Sequence, residues 1–431
     1  MSTIAITGGR ILRPDGTIER NDVLVNAETG LVEAVGTDLG ADETLDAAGS
    51  LVMPGLINAH CHVAMTLLRG YADDKPLDAW LQEDIWPVEA ALEPADVRAG
   101  AKLGIAEMIA SGTTAFVDMY FHMEEVAAAV EAAGIRARLG HGIISVGKDD
   151  EAARADLETG VEFATEYDGA GDGRITTALM PHSLTTVDET HLRVAAERAR
   201  ERDLPAHIHA NETMDEVEPI VREAGRRPLA YARDLGLLES ADFIAHGVHV
   251  DAEEIDLLAE TGAGVAHCPA SNMKLASGMA PVQELLDAGV RVGIGTDGPA
   301  SNNDLDMFDE IRDAAMLGKL AANDASALDA ATVVRMATGA GGAVAGLPAG
   351  RIEAGGTADL IVVDLDRPRL TPLHDPVSHL AYAASGADVR HSVIDGSVVM
   401  RDRTLTTMDV DSVMAEARDR ARALIDRAES C

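Results

Sequence analysis

The 431-residue sequence predicts an α/β fold, a (β/α)8 (TIM) barrel inserted in a small β-sandwich formed by the N- and C-terminal segments. Three observations predict it. Across residues 54–350, eight short apolar runs alternate with helical stretches, each run ending in a polar or His-rich turn. That repeat and that length, about 300 residues, suit such a barrel. Residues 1–53 read as short strands punctuated by glycine. Residues 351–405 read the same way, and neither flank is long enough to make a good domain alone, so the two are expected to share one sandwich.

Taken in order, the N-terminal strands are expected at residues 4–7, 22–25, 32–35 and 50–52, with Gly8, Gly9, Gly30 and Gly36 between them. The barrel runs are 56–62, 114–120, 137–144, 175–182, 206–211, 243–250, 264–269 and 290–297. Helical patterns fall between them, for example at 95–111, 124–133, 188–202 and 281–288. The C-terminal strands are expected at 358–364, 389–394 and 397–400, with Asp395-Gly396 as a hairpin turn. The last segment, 406–431, is expected to be a helix. Val413, Met414, Ala417, Ala421, Leu424 and Ile425 fall on one face of it, which suits packing on the body or on a second subunit.

Composition bounds the function. Hydrophobic residues make up 47% of the chain, enough for a large core, but only 3% are aromatic, so that core must be aliphatic. The net charge is −38, and only five of the 35 basic residues are Lys. Such acidity excludes nucleic acid and anionic membrane surfaces as partners, since both need basic patches. The carboxylates are spread along the whole chain with no acidic tail, which reads as a surface adapted to molar salt. Cys61, Cys268 and Cys431 show no paired spacing and argue against a disulfide framework. With no signal peptide and no membrane-length apolar run, a cytoplasmic protein of a salt-loving organism is expected.

The histidines carry the chemistry. His60 and His62 lie two apart at the end of the first run, so strand alternation points both side chains to one face. His209 ends the fifth run, His246 and His249 the sixth, His267 the seventh and Asp297 the eighth. Strand ends converge at one barrel mouth, which brings His60, His62, His209 and Asp297 together. Three or more N/O ligands with room for water make a catalytic divalent-metal site. Glu212, three residues beyond His209, can hang beside that metal without ligating it, as a proton shuttle must. His207 invites reading as part of a second His-x-His pair. His374, His379 and His391 lie in the C-terminal strands and read as packing or surface residues.

The run Pro54-Gly-Leu-Ile-Asn-Ala-His-Cys-His62, followed by Met65-Thr-Leu-Leu-Arg-Gly70, resembles the amidohydrolase superfamily. With Asp118–His122, Pro181-His-Ser183, His246-Gly-Val-His249, His267–Leu275 and Gly295–Asn303, it is similar to the S-adenosylhomocysteine/5′-methylthioadenosine deaminase group. The resemblance covers about residues 2–405. It implies a metal-bearing barrel in a β-sandwich and one divalent ion, zinc most often and iron sometimes, on His60, His62, His209 and Asp297. No strand end offers a Lys to bridge a second ion, and His207 has no matching metal role.

It also implies the reaction. Water activated by the metal attacks C6 of an adenine ring, Asp297 takes its proton, Glu212 protonates N1, and His246 hydrogen-bonds the attacking oxygen. The ammonia released leaves an inosine derivative. Glu89 and His182 match ribose contacts, Trp80 falls where it can wall the pocket, and Arg154 falls near an Arg that pairs with the amino-acid carboxylate of S-adenosylhomocysteine. His141 stands where a second basic residue is expected. The partner is thus a small adenosine-derived substrate: methylthioadenosine, S-adenosylhomocysteine, 5′-deoxyadenosine or adenosine. A free base such as guanine or cytosine, or a triazine, is the runner-up, and a non-catalytic metal-binding relative is a third reading. Family members often associate, so a homo-oligomer is open.

Overall fold

A computed structural model describes residues 2–430 of the chain. Two sheets of short strands flank the barrel. One is four-stranded, in the order Leu31–Gly36, Asp22–Asn26, Thr3–Thr7, Glu43–Asp46. The other is seven-stranded and mixes both ends of the chain: Thr404–Leu405, Ser397–Arg401, Val389–Ile394, Leu360–Asp364, Ser50–Pro54, Arg10–Leu12, Ile18–Arg20. Ile4, Ile6, Val23, Val25, Val52 and Val362 are among the aliphatic residues that fill the core between them. The chain enters and leaves the barrel through one antiparallel ladder, in which Pro54 opposes Leu360 and Ser50 opposes Asp364. Asp395 and Gly396 both take positive φ, 51° and 73°, as a two-residue hairpin requires.

The barrel is two parallel four-strand sheets. The first holds Leu56–Cys61, Thr113–Tyr120, Arg136–Ile143 and Ile175–Thr177. The second holds His207–Ala210, Phe243–His246, Gly264–His267 and Val292–Ile294. Isolated bridges join the sheets at both seams: Leu179 to Ala206 and Ser183 to His209 on one side, Cys61 to Asp297 on the other. Gly295 is obligatory at the second seam, because a Cβ there would lie 2.7 Å from the His60 backbone nitrogen.

Several strands stop earlier than the apolar runs suggest, each for a local reason. The fourth run splits into Ile175–Thr177 and Met180–Pro181; Pro181 has no N–H to donate, and Leu179 bonds across to the fifth strand instead. The sixth ends at His246, whose φ of 72° turns the chain. The seventh stops before Pro269, which opens the helix Pro269–Lys274. The eighth ends before Asp297, whose φ is 60°.

The helix Pro94–Ser111 shows why the outer layer forms. Pro94 sits at its first position, Glu93 and Asp96 make a reciprocal capping box, and Gly112 ends it in the left-handed conformation. The C-terminal helix Val410–Ala428 packs on this helix, burying Val413, Ala417 and Leu424. Lys102 pairs with Glu416, and Arg420 and Arg427 with Asp96. The body of the chain covers that apolar face. Cys61 and Cys268 are buried free thiols, and Cys431 lies outside the described residues. Among the described residues, no helix is long and apolar enough to cross a membrane.

Candidate metal centre and nucleoside cavity

At the C-terminal mouth of the barrel, one ligand atom from each of His60, His62, His209 and Asp297 lies within 4.8 Å of the others. The His209 Nε2 is 3.1 Å from His60 Nε2 and 3.4 Å from His62 Nε2. Asp297 Oδ1 lies 3.5 Å from His60 Nε2 and 3.2 Å from His62 Nε2. Tetrahedral bonds of about 2.0–2.1 Å put ligand atoms about 3.3 Å apart, so the spacing fits a single ion.

The ring orientations agree. His62 Nδ1 faces the Met119 carbonyl at 2.5 Å, and His209 Nδ1 faces the His182 carbonyl at 2.6 Å. Each Nδ1–H is therefore donated to backbone, which turns Nε2, the atom available to an ion, to the centre. His60 differs: its Nδ1 is 2.8 Å from His207 Nε2, and His207 Nδ1 donates to the Phe243 carbonyl at 3.0 Å. His207 lies one layer deeper in the barrel, fully buried. It stays outside the cluster of four and holds the His60 ring. Sequence reasoning missed this role, although the His-x-His spacing already placed both rings on one face.

Removing the His207 ring would leave the His60 Nδ1–H buried without an acceptor. His207→Ala is expected to weaken metal affinity by roughly 10–100-fold, as loss of such outer partners typically does. Competition with a chromogenic chelator measures it; unchanged affinity would show that His60 is oriented by its strand alone.

Asp297 is fixed by two hydroxyls, Ser271 Oγ at 2.6 Å and Ser301 Oγ at 2.7 Å, both on Oδ2. Beside the cluster, Glu212 Oε2 lies 3.5 Å from His246 Nε2, and Glu212 Oε1 accepts from Ser277 Oγ at 3.2 Å. Burial, helped by the negative charge of Asp297, pushes the Glu212 carboxyl up to about 8, so it holds a proton at neutral pH. His246 Nδ1 meets Asn272 Oδ1 at 2.9 Å, which fixes the ring with Nε2 toward Glu212.

These groups open into a cavity of about 690 Å³. Glu89, His182, Trp80 and Trp86 line it together with Glu212 and Asp297. Burial pushes the Glu89 carboxyl up to about 7, partly relieved by the Tyr120 hydroxyl bonded to it. His182 Nδ1 meets Thr186 Oγ1 at 2.9 Å. Trp80 donates its indole N–H to the Ala72 carbonyl and serves both cavity wall and core. A second cavity of about 490 Å³ adjoins the first, sharing Trp86, Glu89, Phe121 and Ile144.

Arg154 is a correction. It is exposed on the helix Asp150–Tyr167 and lines neither cavity, because Ala153 and Leu157 take that helix's inward face. The basic side chain in the second cavity is Lys148, paired with Asp156 at 3.0 Å; His141 is 3.0 Å from the same carboxylate. His249 and His267 also stay out of the main cavity, His249 bonding the Ser277 carbonyl.

Comparison with known proteins places this arrangement. The chain is 65% identical over 431 residues, 99% of its length and 100% of the relative's, to a 5-methylthioadenosine/S-adenosylhomocysteine deaminase of the halophilic archaeon Haloarcula marismortui. It is 43% identical over 435 residues, the full length of both, to a 5′-deoxyadenosine deaminase of Methanosarcina acetivorans. Its fold matches the crystal structure of a Xanthomonas campestris adenosine deaminase with bound zinc, with a TM-score of 0.92 and 39% identity, over 100% of this chain and 99% of that one. The sequence model of the amidohydrolase family matches residues 51–399. The barrel strand that leads into His60 and His62, bridged at Cys61 to Asp297 just beyond the last strand, lies inside that match, and the chain belongs to the amidohydrolase family.

Proposed function

We propose that this chain is a metal-dependent hydrolase that deaminates 5′-substituted adenosines to the corresponding inosine derivatives and ammonia. The observation that carries the reading is a buried Glu212 facing the same cavity as the converging Nε2 and Oδ1 atoms of His60, His62, His209 and Asp297 and as Glu89. The relatives named above act on this class of substrate.

Zinc is the proposed ion. Its donor set would be three imidazoles and one carboxylate, and the zinc-bound neighbour supports it. When bound, it supplies Lewis acidity that makes water a nucleophile near neutral pH. The side chains do the rest. Asp297 takes the proton of the attacking water on the face of the cavity next to His60 and His62. Glu212 gives its proton to ring N1, so negative charge does not build on the ring as C6 becomes tetrahedral. His246, held by Asn272, offers Nε2 to the incoming oxygen. Asp297 then returns its proton to the exocyclic nitrogen, the C6–N bond breaks to release ammonia, and the C6 hydroxyl proton passes to Glu212, which leaves the carbonyl and restores the acid.

Glu89 and His182 face the side of the cavity where a ribose would lie. A carboxylate accepting two hydroxyls reads a cis-diol. A 5′-substituent then points past Trp86 into the second cavity, whose walls include Leu92, Phe121, Met123 and Phe163, with Lys148 at one side. This favours an apolar thioether, with a cationic contact available to a longer carboxylate-bearing tail.

A substrate panel in molar KCl tests the reading by loss of adenine absorbance. Methylthioadenosine, 5′-deoxyadenosine, S-adenosylhomocysteine and adenosine should turn over, and guanine and a chlorotriazine should not. Inactivity on every adenine nucleoside would refute it. Metal analysis of the active protein separates zinc from iron, which the same donors accept. Lys148→Ala should raise KM for S-adenosylhomocysteine by about tenfold, the scale of one charged hydrogen bond, and leave that for methylthioadenosine within about twofold. Equal effects on both would remove Lys148 from the tail.

A further inference from the structure

We infer that Glu310 is a positioning residue for the deamination: from the helix Met307–Ala322 it locks together the short helix Pro269–Lys274 and the loop after Asp297, the two segments whose hydroxyls hold Asp297. The inference rests on the reading of Asp297 as metal ligand and proton acceptor.

Glu310 is fully buried, yet it lies outside the substrate cavity and takes no part in the chemistry above. Its two oxygens bridge the helix that follows the seventh barrel strand and the loop that follows the eighth. Oε2 accepts from the Ala270 backbone N–H at 3.3 Å, and Oε1 accepts from Asn302 Nδ2 at 2.5 Å. Ala270 precedes Ser271, and Asn302 follows Ser301. Those two serines are the donors on Asp297 Oδ2. One carboxyl group therefore touches the immediate neighbour of each hydroxyl that fixes the aspartate. Asn302 also donates to the Thr296 carbonyl at 2.8 Å, and Thr296 is bonded to Asn58 beside His60, so the lock extends to the first strand.

The aspartate needs such a lock. Its φ of 60° is unfavourable for a residue with a Cβ and persists only where the surroundings over-determine it. Both hydroxyls sit on Oδ2, so Oδ1 alone faces His60 and His62. If either segment slackens, the carboxylate can rotate and Oδ1 is no longer held toward His60 and His62. Glu310→Gln keeps the volume but sets an amide N–H against one of the two donors.

The test is a mutant cycle on the zinc-loaded enzyme in molar KCl, with E310Q, S271A/S301A and their combination. Readouts are kcat, KM, zinc release to a chelator and the thermal midpoint. E310Q should lower kcat and speed zinc release each by about tenfold, with KM within about twofold. In the S271A/S301A background, E310Q should add less than about twofold, because the path from Glu310 to Asp297 is already cut. If E310Q does not fold, E310D takes its place in the same cycle. A full tenfold loss that carries over into the serine background would overturn the inference, as would a fall in thermal midpoint with kcat and zinc release unchanged. D297N separates the two levels: wild-type turnover in that variant would remove the reading of Asp297, whatever Glu310 does.

Discussion

Glu212→Gln should leave the metal content unchanged and cut kcat by roughly 10³. General acid catalysis by a positioned side chain contributes about 10²–10⁴-fold, and the effect should fall inside that range. The geometry separates this residue from the ligands. Its oxygens face Ser277 and His246 rather than the histidine Nε2 atoms and Asp297 Oδ1 that converge on the centre. An amide of the same shape can still accept from Ser277, so the pocket keeps its form and KM should change by less than about threefold. What the amide lacks is a labile proton for ring N1. In wild type that proton is present at neutral pH because burial and the Asp297 charge raise the carboxyl to about 8. Metal analysis of the purified variant, with turnover followed by adenine absorbance, checks both halves. A variant with full metal and near-wild-type kcat would take Glu212 out of the proton path. A variant that loses its metal would instead make Glu212 part of the metal's support.

The ligand set was legible because its logic is one-dimensional. His60 and His62 are two apart, His209 and Asp297 end their runs, and alternation plus strand ends suffice to bring them together. Depth was not legible. His207 and His209 share a face by the same alternation, but only the packed barrel shows that one ring reaches the centre and the other stops at His60 Nδ1. Helix facing was the second blind spot. Arg154 matched by type and approximate position, yet a shift of one residue on a helix turns a side chain by about 100°, and it points to solvent while Lys148 lines the cavity. Strand ends were overrun where a positive φ at His246 or Asp297 turned the chain, since nothing in an apolar run announces a left-handed residue. Both positions are in the candidate site, which is where local rules are expected to be broken.

The protein should unfold when KCl is lowered from about 2 M to about 0.1 M at pH 7.5, followed by circular dichroism and activity. The reason is arithmetic on charge. Even if every one of the 35 basic side chains paired with a carboxylate, 38 carboxylates would have no cationic side chain. At 1 M salt the screening length is about 3 Å and neighbouring carboxylates scarcely feel one another; at 0.1 M it is about 10 Å and they do. Repulsion of this kind makes a definite prediction about pH, opposite in sign to ordinary acid denaturation. A folded state that crowds carboxylates raises their pKa values above those of the unfolded chain, so stability is lost as pH rises. Burial acts the same way at particular sites, raising Asp306 to about 6 and, with the Glu212 charge added, Glu216 to about 7. Their contributions are present below the ordinary carboxylate value, near 4, and are lost as pH climbs through 6 to 7. Groups such as Asp188, where hydrogen bonds from Ser145 and His191 outweigh a partial burial, and the exposed Asp409, lowered by the Ser412 hydroxyl and N–H at its helix cap, work in the other direction, but only below about pH 4. At 0.1 M KCl, stability should therefore rise as pH falls from 7.5 to about 5.5. A fall over that range would show that salt acts by binding at particular sites, and stability at fixed ionic strength would then depend on which cation is supplied.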